Sequence, residues 1–332
     1  MLQFGKYVRA ASVEEAYELL TRGRANRILG GGIWLRLQDR KIATVIDLTD
    51  CGLNRIERVD FASGEVSETG DAFSVGAMVT LHQLECHEEF TRATCGVFEQ
   101  AVRDIVGVQM RNLATVGGSV YGRFGFSDVL CALLPLECDV ELVGAGRMPL
   151  AEFARMGYAR DVLVRVIVRT CELEASFACV RRSATDFPVL NVCAARRGGA
   201  WHVAVGARPT RAVLLEGAEL GLSATFTPAE LDAACERLAQ LPMGSNVRGS
   251  ERYRRHLAAQ LGRRAILAAA GLEGEPAYAQ GEGTESTSGA APAAAMPAAT
   301  VPAAAAPAQP ASATTEQATA ATHDAKEGPA CQ

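Results

Sequence analysis

The segment Gln109-Met-Arg-Asn-Leu-Ala-Thr-Val-Gly-Gly-Ser119 is the most informative stretch of this sequence, because it places a pair of glycines between two hydroxyl side chains. Glycine has no Cβ, so Gly117 and Gly118 let the backbone approach a ligand closely and direct N–H groups at one anion. Thr115 and Ser119 supply further donors around the same turn. The segment therefore predicts a phosphate-binding loop.

A second glycine cluster, Leu29-Gly-Gly-Gly-Ile-Trp34, stands between a predicted short strand and a predicted helix that runs from Ile33 to Arg40. The start of a helix offers free N–H groups and a partial positive charge, which favour phosphate. A Rossmann fingerprint is disfavoured, because it needs Gly or Ala at position 35 and Leu35 stands there. Each cluster alone fits an ordinary tight turn. Together they predict a diphosphate held between two glycine loops.

Two further residues each allow two interpretations. Asp128 precedes an apolar run over 129–136, so its simplest function is that of a helix N-cap. A carboxylate can also accept hydrogen bonds from ligand hydroxyls, such as those of a ribityl chain. Trp34 can belong to the core or contact a cofactor, and the core is the favoured interpretation.

Strand and helix signals divide the chain into four segments. Residues 1–55 predict a small α/β unit, with a capping box formed by Ser12 and Glu15 at the start of a helix. Residues 56–170 predict a second unit, of α+β type, and residues 171–275 a third, with strands first and helices after them. Residues 276–332 are rich in Ala and Pro, which predicts a disordered tail.

Composition excludes several functional classes. A formal charge of −5 and a pI of about 5.7 argue against a nucleic-acid-binding protein. No apolar run reaches the roughly 18 residues of a membrane span, and the N-terminus lacks a signal-peptide pattern. We therefore expect a cytoplasmic protein without a membrane span.

The sequence gives no sign of a metal site. The ten cysteines include no Cys-x-x-Cys pair, which favours buried thiols over an iron–sulfur or zinc site. His82 and His87, with Glu85 and Glu88, are interpreted as a solvated helix face rather than a metal site. No residue is predicted to be a proton-transfer catalyst.

The two glycine clusters resemble those of the FAD-binding subunits of molybdenum hydroxylases, the group that includes xanthine dehydrogenase and carbon monoxide dehydrogenase. That family has an Ala-Gly-Gly-Thr-type loop, then Gln-x-Arg-Asn-x-Ala-Thr-x-Gly-Gly-Asn, then an Asp followed by an apolar run. Here the corresponding stretches begin at Leu29, Gln109 and Asp128. Arg182-Ser-Ala-Thr-Asp-Phe-Pro188 resembles an Arg-x-x-x-Asp-Phe-Pro stretch of the family's C-terminal domain. Gly206-Ala-Arg-Pro209 resembles its later Gly-x-x-Pro turn.

The resemblance implies an α+β fold: a two-subdomain FAD-binding fold of the PCMH type, followed by a small α+β C-terminal flavoprotein domain. It implies an FAD-dependent oxidoreductase subunit that works beside a molybdopterin-binding large subunit and a [2Fe-2S] small subunit, with NAD or another electron acceptor. In the family, both glycine loops bind the FAD diphosphate, the Asp contacts the cofactor and two apolar residues flank the flavin. The implied cofactor-binding residues are Leu29, Gly30, Gly31, Gly32, Ile33, Trp34, Val106, Thr115, Gly117, Gly118, Ser119, Asp128 and Leu163.

Some positions depart from the family pattern. Gly32 and Ile33 stand where Thr and Asp are common, which predicts the loss of side-chain contacts to FAD there. Ser119 replaces an Asn, and Ala178 stands where many relatives have a Lys. The loop Tyr121-Gly-Arg-Phe-Gly-Phe-Ser127 differs from the family's Ala-Ser-Pro pattern. Two alternatives stay open: a self-contained flavin oxidase or dehydrogenase of the same fold, and a flavin-free scaffold subunit.

Overall fold

The structure, a computed structural model, describes residues 3–36, 39 and 41–272. Its first part is a three-stranded parallel sheet with the order β1-β3-β2. The elements are β1 (Gln3–Arg9), α1 (Val13–Arg22), β2 (Arg27–Leu29), α2 (Ile33–Arg36), β3 (Lys41–Asp47) and a 3-10 helix (Thr49–Cys51). Ser12 caps α1 by accepting the Glu15 N–H at 3.2 Å, and the Glu15 carboxylate accepts the Ala11 N–H at 2.8 Å. The predicted capping residues thus both bind backbone at this helix start.

The middle part is a five-stranded antiparallel sheet with the order β4-β5-β8-β6-β7. Its strands are β4 (Ile56–Val59), β5 (Ala72–Gly76), β6 (Cys138–Leu142), β7 (Gly146–Pro149) and β8 (Leu163–Arg169). Short helices fill the chain between β5 and β6: α3 (Leu81–Cys86), α4 (Glu88–Ala93), α5 (Val97–Val102), α6 (Val108–Arg111), α7 (Val116–Tyr121) and α8 (Asp128–Leu133). A further helix, α9 (Leu150–Arg155), connects β7 to β8.

The last part is an antiparallel meander with the order β12-β11-β10-β9. It contains β9 (Leu173–Arg181), β10 (Pro188–Arg197), β11 (Ala200–Gly206) and β12 (Val213–Glu216), followed by α10 (Gly217–Leu220), α11 (Pro228–Ala239) and α12 (Glu251–Ala269). Both faces of β10 are covered. Cys193 and Ala195 pack in the core of the middle part, while Val192 and Ala194 pack in the core formed with the C-terminal helices. This explains why a nearly continuous apolar run forms a strand here.

Each sheet lies within one of the predicted segments 1–55, 56–170 and 171–275, whose boundaries remain predictions. Three strands were not predicted: β1, β7 and β12. β1 is exposed along almost its whole length, and neither β7 nor β12 contains a buried residue, so none of the three has an alternating pattern of buried and exposed residues. The helix predicted from Ile33 to Arg40 is described over Ile33–Arg36, and residues 37, 38 and 40 lie outside the described residues. The predicted tail, 276–332, lies outside the described residues. Over residues 3–36, 39 and 41–272, none of the helices combines the length and the apolar character that a membrane span requires.

Candidate functional site

The first glycine cluster forms the turn between β2 and α2. Gly32 has a φ of +73°, the left-handed conformation that favours glycine. Within the described residues, the backbone N–H groups of Gly30, Gly31, Gly32 and Ile33 donate to no acceptor of the protein. A row of consecutive free N–H donors is the backbone arrangement that binds phosphate.

The second glycine segment is fixed to the loop that follows β5. Leu81 donates its N–H to the Ala114 carbonyl at 2.9 Å, and Gly117 donates to the Ala77 carbonyl at 2.8 Å. Thr115 is the N-cap of α7, because its Oγ1 accepts the Gly118 N–H at 3.1 Å. A Cβ on Gly117 would lie 2.7 Å from the Ala77 carbonyl oxygen, so this glycine serves backbone packing.

The two glycine segments are in direct contact with each other. A Cβ on Gly31 would lie 1.5 Å from the Leu113 carbonyl oxygen, and a Cβ on Gly30 would lie 2.8 Å from Thr115 Oγ1. Glycine at positions 30 and 31 is therefore needed for the contact between the loops. The sequence prediction had assigned their missing side chains to the approach of a ligand.

A cavity of about 550 Å³ is lined by both glycine segments, and its size is in the range of small-molecule sites. Most of the predicted residues line it: Gly30, Gly31, Gly32, Ile33, Trp34, Thr115, Gly117, Gly118, Ser119 and Leu163. Leu29, Val106 and Asp128 are outside its lining. Leu29 is the last residue of β2, and Val106 is 48 % exposed with a φ of +51°.

Asp128 occupies a different environment from the one predicted. Ser127 is the N-cap of α8, since its hydroxyl accepts the Leu130 N–H at 3.2 Å, and Asp128 is the first helical residue. The Asp128 carboxylate is buried, and it accepts hydrogen bonds from Arg181 at 2.8 Å and from Asn191 at 2.7 Å. The predicted N-cap function of Asp128 is therefore wrong, and its contact with the cofactor stays a prediction. In this structure the carboxylate connects α8 to β9 and β10.

The cavity has a wall that sequence reasoning missed. Tyr121 donates its hydroxyl proton to the Ala159 carbonyl at 2.5 Å and accepts the Asp161 N–H at 2.8 Å. Burial raises the pKa of Tyr121 to about 12, so the phenol stays neutral. The Asp161 carboxylate accepts the N–H groups of Gly144, Ala145 and Val162 at 2.7–2.9 Å. Both polar side chains are therefore already occupied by backbone groups.

Trp34 belongs to a cluster of aromatic rings that we call the aromatic cluster. Its ring centroid lies 5.2 Å from Phe124, 5.1 Å from Phe126 and 5.6 Å from Phe187. Trp34 and Phe124 also line the cavity, so Trp34 both packs against aromatic neighbours and faces the site. The Phe-Gly-Phe sequence at 124–126 was the available signal, because it departs from the family pattern at that loop.

Arg111 of the second glycine segment has a structural function. Its guanidinium donates to Glu85 at 2.9 Å and to the carbonyls of Arg103 at 2.9 Å and Ile105 at 3.4 Å. Glu85 also contacts His82 at 2.7 Å, and the Cys86 sulfur lies 3.7 Å from the same imidazole nitrogen. The predicted solvated helix face is thus partly engaged by a buried arginine.

Two protein-family models match most of this chain. Residues 2–171 match the model of the FAD binding domain in molybdopterin dehydrogenase, and residues 175–269 match the CO dehydrogenase flavoprotein C-terminal domain. The chain belongs to the molybdopterin dehydrogenase FAD-binding family. This confirms the predicted family, the α+β fold with its C-terminal flavoprotein domain, and FAD as the cofactor.

Relatives of this family member are oxidoreductase subunits. The nicotine 6-hydroxylase medium subunit of Paenarthrobacter nicotinovorans is 26 % identical over 80 % of this chain and 96 % of the relative. The glyceraldehyde dehydrogenase medium chain of Sulfolobus acidocaldarius is 23 % identical over 76 % of this chain and 93 % of the relative. These relatives confirm the predicted enzyme class.

The fold is similar to that of solved structures of the same family. Carbon monoxide dehydrogenase from Hydrogenophaga pseudoflava superposes with a TM-score of 0.71 at 23 % identity, covering 81 % of this chain and 98 % of that one. Quinoline 2-oxidoreductase from Pseudomonas putida 86 gives a TM-score of 0.68 at 22 % identity, covering 81 % and 98 %.

The residues of this flavoprotein's cavity fit FAD. The free N–H groups of Gly30 to Ile33 are suited to the diphosphate, which carries the cofactor's negative charge. Apart from Thr115 Oγ1 at 3.3 Å, a Cβ on Gly118 would meet nothing within 4 Å, so this glycine leaves space beside the free donors. Trp34 and Leu163 give the same cavity an apolar surface against which a flavin or adenine ring can pack.

Proposed function

We propose that this chain is the FAD-bearing medium subunit of a molybdenum hydroxylase and carries electrons between its partner subunits and an acceptor. Electrons would come from a molybdopterin-binding large subunit through the [2Fe-2S] clusters of a small subunit, and would leave to NAD or another acceptor. The observation that carries the proposal is the row of free N–H donors at Gly30–Ile33, which lines one cavity together with the Thr115–Ser119 turn. The names of both relatives, a medium subunit and a medium chain, support it.

Each part of the cavity contributes a different interaction. The N–H groups of residues 30–33 would hold the diphosphate, and Gly118 would allow it to come close to α7. The Ser119 hydroxyl donates to the Thr115 carbonyl at 2.9 Å, which leaves its oxygen free to accept a hydrogen bond from the cofactor. Bound FAD would supply the redox chemistry, while the protein positions it.

The environment of three buried cysteines supports the proposal that the iron–sulfur clusters, which supply the electrons, are bound by another chain. Cys131, Cys138 and Cys193 are buried, and burial raises the pKa of each thiol. A thiol must lose its proton to bind a metal, so these three are suited to packing. The electron-donating clusters are therefore proposed to reside on a partner subunit.

Purification from the native source tests the proposal. A tag on this chain should recover two further subunits, with molybdenum and iron in fixed ratio to flavin. The chain purified alone should contain FAD that acid precipitation releases into the supernatant, should contain no iron, and should show little substrate oxidation. Flavin that stays in the pellet would indicate a covalent link and favour the self-contained oxidase. Strong substrate oxidation by the isolated chain would contradict the subunit assignment.

A further inference from the structure

Helix α3 carries a histidine, a glutamate and a cysteine on one face, outside both glycine segments. His82, Glu85 and Cys86 are spaced i, i+3 and i+4, so one helical turn places them side by side. Glu85 Oε1 lies 2.7 Å from His82 Nδ1, and Cys86 Sγ lies 3.7 Å from the same nitrogen. One ligand atom of each residue lies within 4.8 Å of the other two. We call these three side chains the α3 cluster.

The α3 cluster combines the three side-chain types that bind zinc. Imidazole nitrogen, carboxylate oxygen and thiolate sulfur are its usual protein ligands, and three of them leave a fourth position for water. Two histidines at i and i+4 of a helix already bind zinc in other proteins, which shows that one helical face can supply several ligands. Mg²⁺ and Ca²⁺ prefer oxygen ligands throughout, so the sulfur and nitrogen favour a zinc-type cation. The sequence interpretation had considered His82 and Glu85 without Cys86.

Glu85 is held in position by a buried arginine. Arg111 is only 8 % exposed, and its Nε donates to Glu85 Oε1 at 2.9 Å. The same guanidinium is fixed by the carbonyls of Arg103 and Ile105. Within residues 3–36, 39 and 41–272, no group donates a hydrogen bond to the other carboxylate oxygen, Oε2. Hydrogen-bonded carboxylates of this kind are typical of metal sites, because the bond orients the ligand.

The Arg111 charge is compatible with a bound cation. Glu85 neutralises Arg111, and a Cys86 thiolate would reduce the charge of a divalent ion from +2 to +1. A zinc site made of two histidines and one glutamate carries the same net charge of about +1. The α3 cluster therefore needs no further acidic residue.

The α3 cluster is also accessible and locally rigid. The His82 side chain is 35 % exposed and Cys86 is exposed, so a cation can enter from solvent. The start of α3 is fixed by a capping box between Thr80 and Gln83. These properties distinguish Cys86 from the buried thiols, which are suited to packing.

We propose that the α3 cluster binds one zinc-type divalent cation. One ring nitrogen of His82, Oε2 of Glu85 and the Cys86 sulfur are its protein ligands, and water occupies the fourth position. The Cys86 thiol releases its proton to solvent when the ion binds. The ion would fix α3 to Arg111, which belongs to the second glycine segment, and would take no part in electron transfer. This site is independent of the proposed function.

The test uses the full chain loaded with FAD and freed of metal by a chelator. Zinc chloride is titrated against a competing chelator, and magnesium chloride serves as the oxygen-preferring comparison. One zinc should bind per chain, and an equal concentration of magnesium should not compete. X-ray absorption at the zinc edge should show one sulfur neighbour at about 2.3 Å. Zinc binding no tighter than that of magnesium, or zinc without a sulfur neighbour, would overturn the proposal.

Variants assign the zinc to the α3 cluster. Cys86→Ser and His82→Gln should each weaken zinc binding roughly tenfold or more, since even residues that only orient a metal ligand contribute roughly that much. Glu85 is left unaltered because it also holds Arg111. Cys171→Ser removes another exposed thiol outside the cluster and is the matched control, which should bind zinc normally. Unchanged zinc affinity in both Cys86→Ser and His82→Gln refutes the site.

Thiol alkylation locates the bound ion directly. Iodoacetamide labelling of the unaltered chain, followed by mass spectrometry of its peptides, gives the reaction rate of each exposed cysteine. One equivalent of zinc should slow the labelling of Cys86 and leave that of Cys171 unchanged, because a sulfur bound to a metal is a poorer nucleophile. Equal slowing at both thiols would show adventitious zinc binding only, and no slowing at Cys86 would exclude it as a ligand. Either result contradicts the proposal.

Discussion

Replacing Gly118 with valine separates cofactor binding from folding, because Gly118 is helical and borders open space. It is an interior residue of α7 and has no positive φ, so valine can adopt its backbone conformation. The helix preferences of glycine and valine differ by only about 0.5 kcal/mol. The new Cβ would lie 3.3 Å from Thr115 Oγ1, a contact that a small movement of the hydroxyl relieves. We expect the free energy of unfolding to change by less than about 1 kcal/mol.

The effect on FAD affinity should be much larger. The valine methyl groups would enter the space between α7 and the free N–H donors of residues 30–33, where we place the diphosphate. A hydrogen bond to a charged group contributes about 1.5–3 kcal/mol. Losing two of them would cost about 3 kcal/mol or more, which corresponds to a roughly 100-fold weaker FAD complex.

Titration of the flavin-free chain with FAD measures this affinity, and urea unfolding measures the stability. Gly157→Val is the matched control, because a Cβ on Gly157 meets nothing within 4 Å and Gly157 does not line the flavin cavity. It should leave FAD affinity unchanged. Unaltered FAD affinity in a stable Gly118→Val protein would show that the 115–119 turn does not hold the diphosphate.

Three further changes have distinct expected outcomes. Gly31→Ala should lower the urea midpoint and the FAD content together, because the added Cβ would clash with the Leu113 backbone at 1.5 Å; a loss of FAD at unchanged stability would contradict this reasoning. Arg181→Met should cost about 3–5 kcal/mol of unfolding free energy by leaving Asp128 buried without its cation, and adding Asp128→Asn should recover part of that loss in a double-mutant cycle. Truncation after residue 274 should leave FAD content unchanged in the soluble product, and loss of flavin would assign the tail a part in binding.

The two glycine turns could be predicted from the sequence, because glycines between a strand and a helix restrict the backbone to few arrangements. The capping residues Ser12 and Glu15 and the helices after Thr80 and Thr227 were equally accessible, since each depends on residues within one turn. The sequence could not show that Gly31 packs against Leu113, because that contact joins segments distant along the chain.

The same limit applies to Asp128, where the predicted N-cap function is wrong and the predicted cofactor contact stays a prediction. Its position at the head of an apolar run is also that of an N-cap, and only the fold brings Arg181 and Asn191 to its carboxylate. Ala178 is a related case. It packs in the core formed with the C-terminal helices, and its sequence position, three residues before Arg181 and Arg182, does not indicate this environment. Long-range polar partners of this kind are set by strand register, which local patterns do not determine.

The flavin cavity contains both free backbone donors and the charged side chain of Arg27, and their relative contributions to FAD binding can be measured. In the flavin cavity, Arg27 donates to the Arg24 and Asn26 carbonyls at 2.7 Å, and the Asp161 carboxylate is occupied by backbone N–H groups. We expect the peptide dipoles of residues 30–33 to contribute more to diphosphate binding than the Arg27 charge, because their N–H groups would contact the ligand directly.

Added salt screens charge interactions over a Debye length of about 10 Å at 0.1 M. Direct contact between the diphosphate and the N–H groups of residues 30–33 should limit this screening, so FAD affinity should fall roughly threefold or less between 0.05 and 0.5 M KCl. Calorimetric titrations of FAD across that range measure the salt dependence. A fall of roughly tenfold or more would contradict this reasoning and would indicate that the Arg27 charge dominates diphosphate binding.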